Sequence, residues 1–207
     1  MKSYAELSED ARDVLAEIGN IGTGNAVAAL SSMLGAQIDM ALPAIRLLPY
    51  RDVPGQLGGS ETLEVGILLE TTGDINGMFM FLLSEEFTAA LLTGLLGEAP
   101  TDSTQLSEMD RSAICEVGNI MCCSYINALA RMMDVTVEIS VPRMCSDMLG
   151  ALLSVPMIRF ANLSDEMLLI ENKYHLNETN VVSHILFLPE VDSIVKILKA
   201  LDLPYET

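Results

Sequence analysis

A long gapless self-match limits what this chain can fold into more than any other feature. Leu7-Ser8-Glu9 through Pro43 lies over Leu106-Ser107-Glu108 through Pro142, with identities at Arg12/Arg111, Glu17/Glu116, Gly19/Gly118, Asn20/Asn119, Ile21/Ile120, Ala29/Ala128, Leu30/Leu129 and Pro43/Pro142. A duplication of this length means one supersecondary unit used twice, so it has to be read before any single element. The expectation is one domain over residues 1–207, made of two repeats at about 7–97 and 106–203.

Within each copy the apolar positions recur at helical spacing, as Val14, Leu15, Ile18 and Ile21 and again as Ala113, Ile114, Val117 and Ile120. Ser8 and Ser107 precede these runs as N-caps with acids in the first turn, and the runs continue to about Leu34 and Met133. Gln37 to Leu42 and Thr136 to Val141 then alternate as strands do, and each ends at a proline. Leu63 to Glu70 and Met78 to Leu83 read as further strands, answered by Met167 to Glu171 and His184 to Leu188. Thr71 to Gly77 reads as a hairpin connection, and each half closes on an amphipathic helix, Glu85 to Leu96 and Val191 to Leu201. So few strands per copy would leave bare edges. The predicted fold class is therefore α/β in layered α+β form: tandem duplicated helix-strand repeats sharing one largely antiparallel sheet, helices packed on it, with pseudo-two-fold symmetry.

Composition excludes several function classes. With 207 residues, 50% of them hydrophobic, the chain can bury a sizeable core, and 29 acids against 11 bases give a net charge of −18. That charge disfavours nucleic acid and anionic membrane surfaces as partners. The longest apolar run, Met78 to Leu83, falls far short of the roughly 20 residues a spanning helix needs, and the N-terminus carries no apolar signal segment. A cytoplasmic location without membrane insertion is the expectation. Cys115, Cys122, Cys123 and Cys145 lack the paired spacing of a zinc site, and His175 and His184 lack ligand-like neighbours, so no metal of its own is expected.

The helical runs carry a polar stripe. Positions i, i+4 and i+7 share a helix face, and here they hold Asp13, Glu17 and Asn20, matched by Ser112, Glu116 and Asn119. A solvated helix face is the ordinary reading of such residues. The same Glu, Gly and Asn are kept in both copies while Gly22/Met121 and Asn25/Ser124 differ, which favours a role beyond solubility. An amide is no general base, but it can hold a water by donating and accepting hydrogen bonds, and placing a water in line is much of what phosphoryl hydrolysis requires. Glutamate could anchor a cation on a partner. The glycines of Gly22-Thr-Gly24 do not make a phosphate loop, because they follow three turns of helix instead of a strand and become Met121, Cys122 and Cys123 in the second copy. Close helix packing accounts for them better.

Asp13-x3-Glu17-x2-Asn20-x22-Pro43 and Ser112-x3-Glu116-x2-Asn119-x22-Pro142 together resemble the double signature of the CheC phosphatases of bacterial chemotaxis. The resemblance implies hydrolysis of the aspartyl phosphate of the response regulator CheY, a protein aspartyl-phosphate phosphatase activity, with magnesium supplied by the regulator and no cofactor on this chain. It implies that Asn20 and Asn119 orient the attacking water and that Glu17 and Glu116 pair with the active-site lysine of CheY. Asp13 and Ser112 would be accessory, and Pro43 and Pro142 structural. Relatives of the CheX type keep one motif and dimerise, and those of the FliY type append a flagellar switch domain, whereas this chain has two motifs.

The family resemblance also implies binding and restraint of the receptor deamidase CheD through a short helix in the second half. The segment Ser146 to Leu153 has the spacing for that helix, with Asp147 at its start and Met148 and Leu149 following. The alternative function is a mainly non-catalytic regulator of CheD. An acidic CheY would gain no long-range steering toward a chain of charge −18, so recognition has to be local and transient. The expected state is a monomer or a heterodimer with CheD.

Overall fold

The computed structural model describes residues 7–41, 44–98, 105–160, 166–176 and 179–201. Two helices of 26 residues, α1 (Glu9–Leu34) and α4 (Glu108–Met133), dominate it, each about 39 Å long at the usual rise per residue. Their ends follow from capping. The Ser8 hydroxyl accepts from the Ala11 amide at 3.2 Å, and Ser107 forms a full capping box with Asp110. At the other ends Gly35 and Asp134 turn into the left-handed region, at φ 59° and 52°, and stop the helices.

The remaining elements fall in the same order in both halves. After α1 come β1 (Asp39–Met40), β2 (Ala44–Pro49), a helical turn α2 (Val53–Gln56), the hairpin β3 (Leu63–Gly73) and β4 (Gly77–Leu83), and α3 (Glu85–Leu96). After α4 come β5 (Val137–Ile139), β6 (Arg143–Met148), α5 (Leu149–Phe160), the hairpin β7 (Glu166–Leu176) and β8 (Thr179–Pro189), and α6 (Val191–Ala200). All eight strands join one sheet in the order β1-β7-β8-β4-β3-β5, with β2 also on β7 and β6 also on β3, and every pairing is antiparallel.

The halves exchange their edges. Strands β1 and β2 of the first half pair with β7 of the second, while β5 and β6 of the second pair with β3 of the first. Strands β4 and β8 meet in the middle, with Phe81 opposite Ile185. The sheet is covered on both sides, which is why all of β4 is buried. Its Phe79 and Phe81 face a core with α1, α3, α4 and α6, while Met78, Met80 and Leu82 face a second core with α2 and α5.

Three expectations change. The strands after α1 and α4 are shorter than read, and β2 and β6 resume beyond the prolines; Pro142 stands between β5 and β6, while Pro43 lies outside the described residues. The second-half helix begins at Leu149, so Asp147 and Met148 belong to strand β6, where Asp147 pairs with Glu64. Third, α4 is long and apolar enough by composition alone to cross a bilayer, although no single run of it is. Its Ile114, Val117, Met121, Tyr125 and Leu129 are instead buried in the core.

Helix α1 meets α4 where Gly22 leaves room for the Tyr125 ring: a Cβ at Gly22 would stand 2.5 Å from it. Gly24 has nothing within 4 Å. Replacing Gly by Ala in a helix gains about 1 kcal/mol, whereas overpacking costs about 1–3 kcal/mol. Urea unfolding should therefore show Gly24→Ala more stable than wild type by up to about 1 kcal/mol, and Gly22→Ala less stable.

Glu64 on β3 is buried, and its Oε2 has no hydrogen-bond partner. Burial, then the nearby Glu86 and Glu85 carboxylates of α3, push its pKa from 4.5 to about 7. A carboxyl whose folded-state pKa is raised favours folding most below its ordinary pKa and loses that contribution as pH rises through the folded value. Glu64→Gln should match wild type in stability at pH 4 and exceed it by about 2 kcal/mol at pH 8, read from paired denaturation curves.

Candidate functional site

The buried face of α1 runs through Leu15, Ile18, Gly19, Gly22, Thr23, Ala26 and Leu30, and that of α4 through Ile114, Val117, Gly118, Met121, Cys122, Tyr125 and Leu129. Helical periodicity then leaves the stripe outside. Glu17 and Glu116 are exposed, and Asn20 and Asn119 half-buried beside them, so burial repeats position by position in the two halves. Asp13 and Ser112 are exposed one turn earlier. The glycine between Glu and Asn faces inward: at Gly118 a Cβ would come within 2.8 Å of Ile67 on β3, so close seating of α4 on the sheet requires glycine there.

The two amides are held differently. Asn20 Nδ2 donates to Glu17 Oε2 at 3.3 Å. Asn119 instead accepts at Oδ1 from the Cys123 thiol, at 3.7 Å. Burial and then the Glu116 carboxylate push the Cys123 thiol up from its ordinary pKa, so it stays protonated at neutral pH. Burial likewise raises Cys115 and Cys122, and all four cysteines are unpaired thiols.

A groove of about 500 Å³ is lined by Asn25 of α1 and by Ser124, Asn127, Arg131 and Asp134 at the α4 side. Asn25 and Ser124 occupy matched places in the two copies, and their divergence made them look unimportant in the sequence. Arg111, one residue before Ser112, donates from Nη2 to the Met144 carbonyl at 3.4 Å and so ties the first turn of α4 to β6. Among the described residues no three His, Cys, Asp or Glu side chains stand together as metal ligands.

Of the residues expected to dock a partner, Asp147 and Met148 are exposed at the end of β6, and Asp147 Oδ1 accepts from the Met148 amide. Leu149 is fully buried and cannot contact a partner. The exposed apolar side chains lie further along α5, at Val155, Met157 and Ile158.

What the stripe can do chemically follows from its inventory. Each copy presents a carboxylate, which only accepts, and an amide, which donates and accepts. The thiols beside the second pair, Cys115 and Cys123, are both half-buried and held protonated, and the exposed hydroxyl of Ser112 lies one turn before Glu116. Such a pair can orient a water and a cationic side chain on a partner, and it leaves the leaving group and any metal to that partner.

Comparison with known proteins bears on these segments directly. A model of the CheC-like family matches residues 11–46 and 109–145, the two stretches that hold the stripes. The chain is 29% identical over 205 residues to the CheY-P phosphatase CheC of Bacillus subtilis, covering 97% of this chain and 98% of that protein. It is 29% identical over 140 residues to the flagellar motor switch phosphatase FliY of the same organism, covering 67% of this chain and 36% of that protein. The fold superposes on Thermotoga maritima FliY with a TM-score of 0.74 at 22% identity, over 95% of this chain and 98% of that one.

Proposed function

We propose that this chain, whose two stripe-bearing segments match the CheC-like family, hydrolyses the aspartyl phosphate of the chemotaxis response regulator CheY. The observation that carries this reading is the repeated outward presentation of Glu17 with Asn20 and of Glu116 with Asn119, inside the two segments that match the family. The names of its relatives, a CheY-P phosphatase and a flagellar motor switch phosphatase, point the same way.

Asn20 and Asn119 each hold a water through the side-chain amide and place its oxygen in line with the phosphorus. Glu17 and Glu116 hold the lysine of the regulator's active site. The water oxygen bonds to phosphorus as the phosphorus–carboxylate oxygen bond breaks. The aspartate leaves with the electron pair as a carboxylate, and a water proton passes to the phosphate product or solvent. Magnesium, expected on the regulator, would supply charge neutralisation of the phosphoryl oxygens. The protein's contribution is placement, which for a well-oriented attack is worth orders of magnitude in rate.

Asn20→Ala and Asn119→Ala should each remove part of the activity, and the double variant should lower the accelerated decay of phosphorylated CheY by about a hundredfold. Since neither amide is fully buried, stability should stay within about 0.5 kcal/mol of wild type. A double variant that hydrolyses at the wild-type rate overturns the proposal.

A second role, binding the deamidase CheD, is favoured by the apolar side chains that α5 exposes: Val155 at 47%, Met157 at 38% and Ile158 at 79%. These form the docking surface in this reading, with Met148 exposed at the end of β6 just before α5 begins and Asp147 beside it. Ile158→Asp should weaken CheD binding by about tenfold or more, as loss of an apolar anchor does. Unchanged affinity removes α5 as the site.

A further inference from the structure

The two stripes match in sequence and burial, yet their amides differ in what holds them. In the first, the Asn20 nitrogen is drawn back onto Glu17, 3.3 Å away. In the second, the Cys123 thiol engages the Asn119 oxygen at 3.7 Å. Cys123 stands one helical turn after Asn119, and the matched place after Asn20 is Gly24, which has no side chain and nothing within 4 Å. Only the second half therefore has a side chain one turn on that can fix the amide.

Resting on the phosphatase reading, we propose that Cys123 is a positioning residue for the second site: its thiol donates to Asn119 Oδ1 and so leaves Nδ2 pointing at the water and the phosphoryl group. An amide rotates about its last bond in two nearly isosteric ways, and a donor beside its oxygen selects one of them. The neighbouring Glu116 carboxylate helps, because it opposes loss of the thiol proton that the contact needs. Cys123 forms no bond to substrate and acts through Asn119 alone. In the first site the Glu17 carboxylate performs the selection, so the residue expected to anchor the regulator's lysine is also the one that orients the amide.

The test isolates each site in the intact chain. In the Asn20→Ala background the second site works alone, and Cys123→Ala should lower kcat for phosphorylated CheY by about fivefold with KM unchanged, the effect of losing one modest hydrogen bond. Cys123→Ser, which keeps a donor, should restore most of that loss. In the Asn119→Ala background the first site works alone, and Cys123→Ala should leave its rate as it was. An unchanged kcat in the first background overturns the proposal, and so does an equal loss in both backgrounds or a Ser variant as slow as Ala. Failure of the phosphatase reading itself would look different, because Asn20→Ala with Cys123 intact would then have no activity to lose.

Discussion

The pairing of β4 with β8 is the contact on which the rest of the molecule depends. Within each half the only paired strands are those of one hairpin, whose bare edges a long helix and two short ones cannot close. Joining at β4 and β8 makes one sheet, and the exchange of β1 and β2 for β5 and β6 caps the hairpin of each half with strands from the other. At the junction Phe79 stacks on Phe187 with ring centres 4.3 Å apart, and Tyr125 sets its edge against both. Tyr125 reaches that place because Gly22 has no side chain to exclude it, so the aromatic cluster fixes α1 and α4 against the sheet and against each other.

The outward stripes are a consequence of that seating. A helix whose one face is committed to Phe79, Ile67 and its partner helix must turn the residues half a turn away toward solvent. Glu17, Asn20, Glu116 and Asn119 occupy those positions, so their presentation costs the core nothing. A polar pair on a rigid helix is also well placed for the work proposed, which asks for orientation rather than for a perturbed acid or base.

Much of this was legible in the sequence where local rules decide. The limits of α1 and α4 follow from Ser8, Ser107 and the helical periodicity, and the hairpin of β3 and β4 follows from apolar runs around Gly73 and Gly77. Strands β2 and β6 were not legible, because each gains its identity from a strand of the other half; Arg143 to Met148 is largely exposed and carries no strong pattern. Asp147 before an apolar run imitates a helix cap, and its place on β6 is set by Glu64, which no nearby residue announces. The Glu and Asn stripe could be read because it is written twice. The contact of Cys123 with Asn119 could not, since in sequence it is a change between copies and only the folded helix shows that the thiol meets the amide oxygen.

The central claim is that both stripes meet the regulator, and it is tested most directly by side-chain amide NMR of the isotopically labelled chain. CheY held in its activated form by beryllofluoride and magnesium would be added stepwise, and the Asn20 and Asn119 side-chain amides followed with the backbone. Both amides, together with backbone signals around residues 13–24 and 112–123, are predicted to shift and broaden. Shifts confined to α5 or to the sheet edges, with both asparagine amides unmoved at saturation, would contradict it.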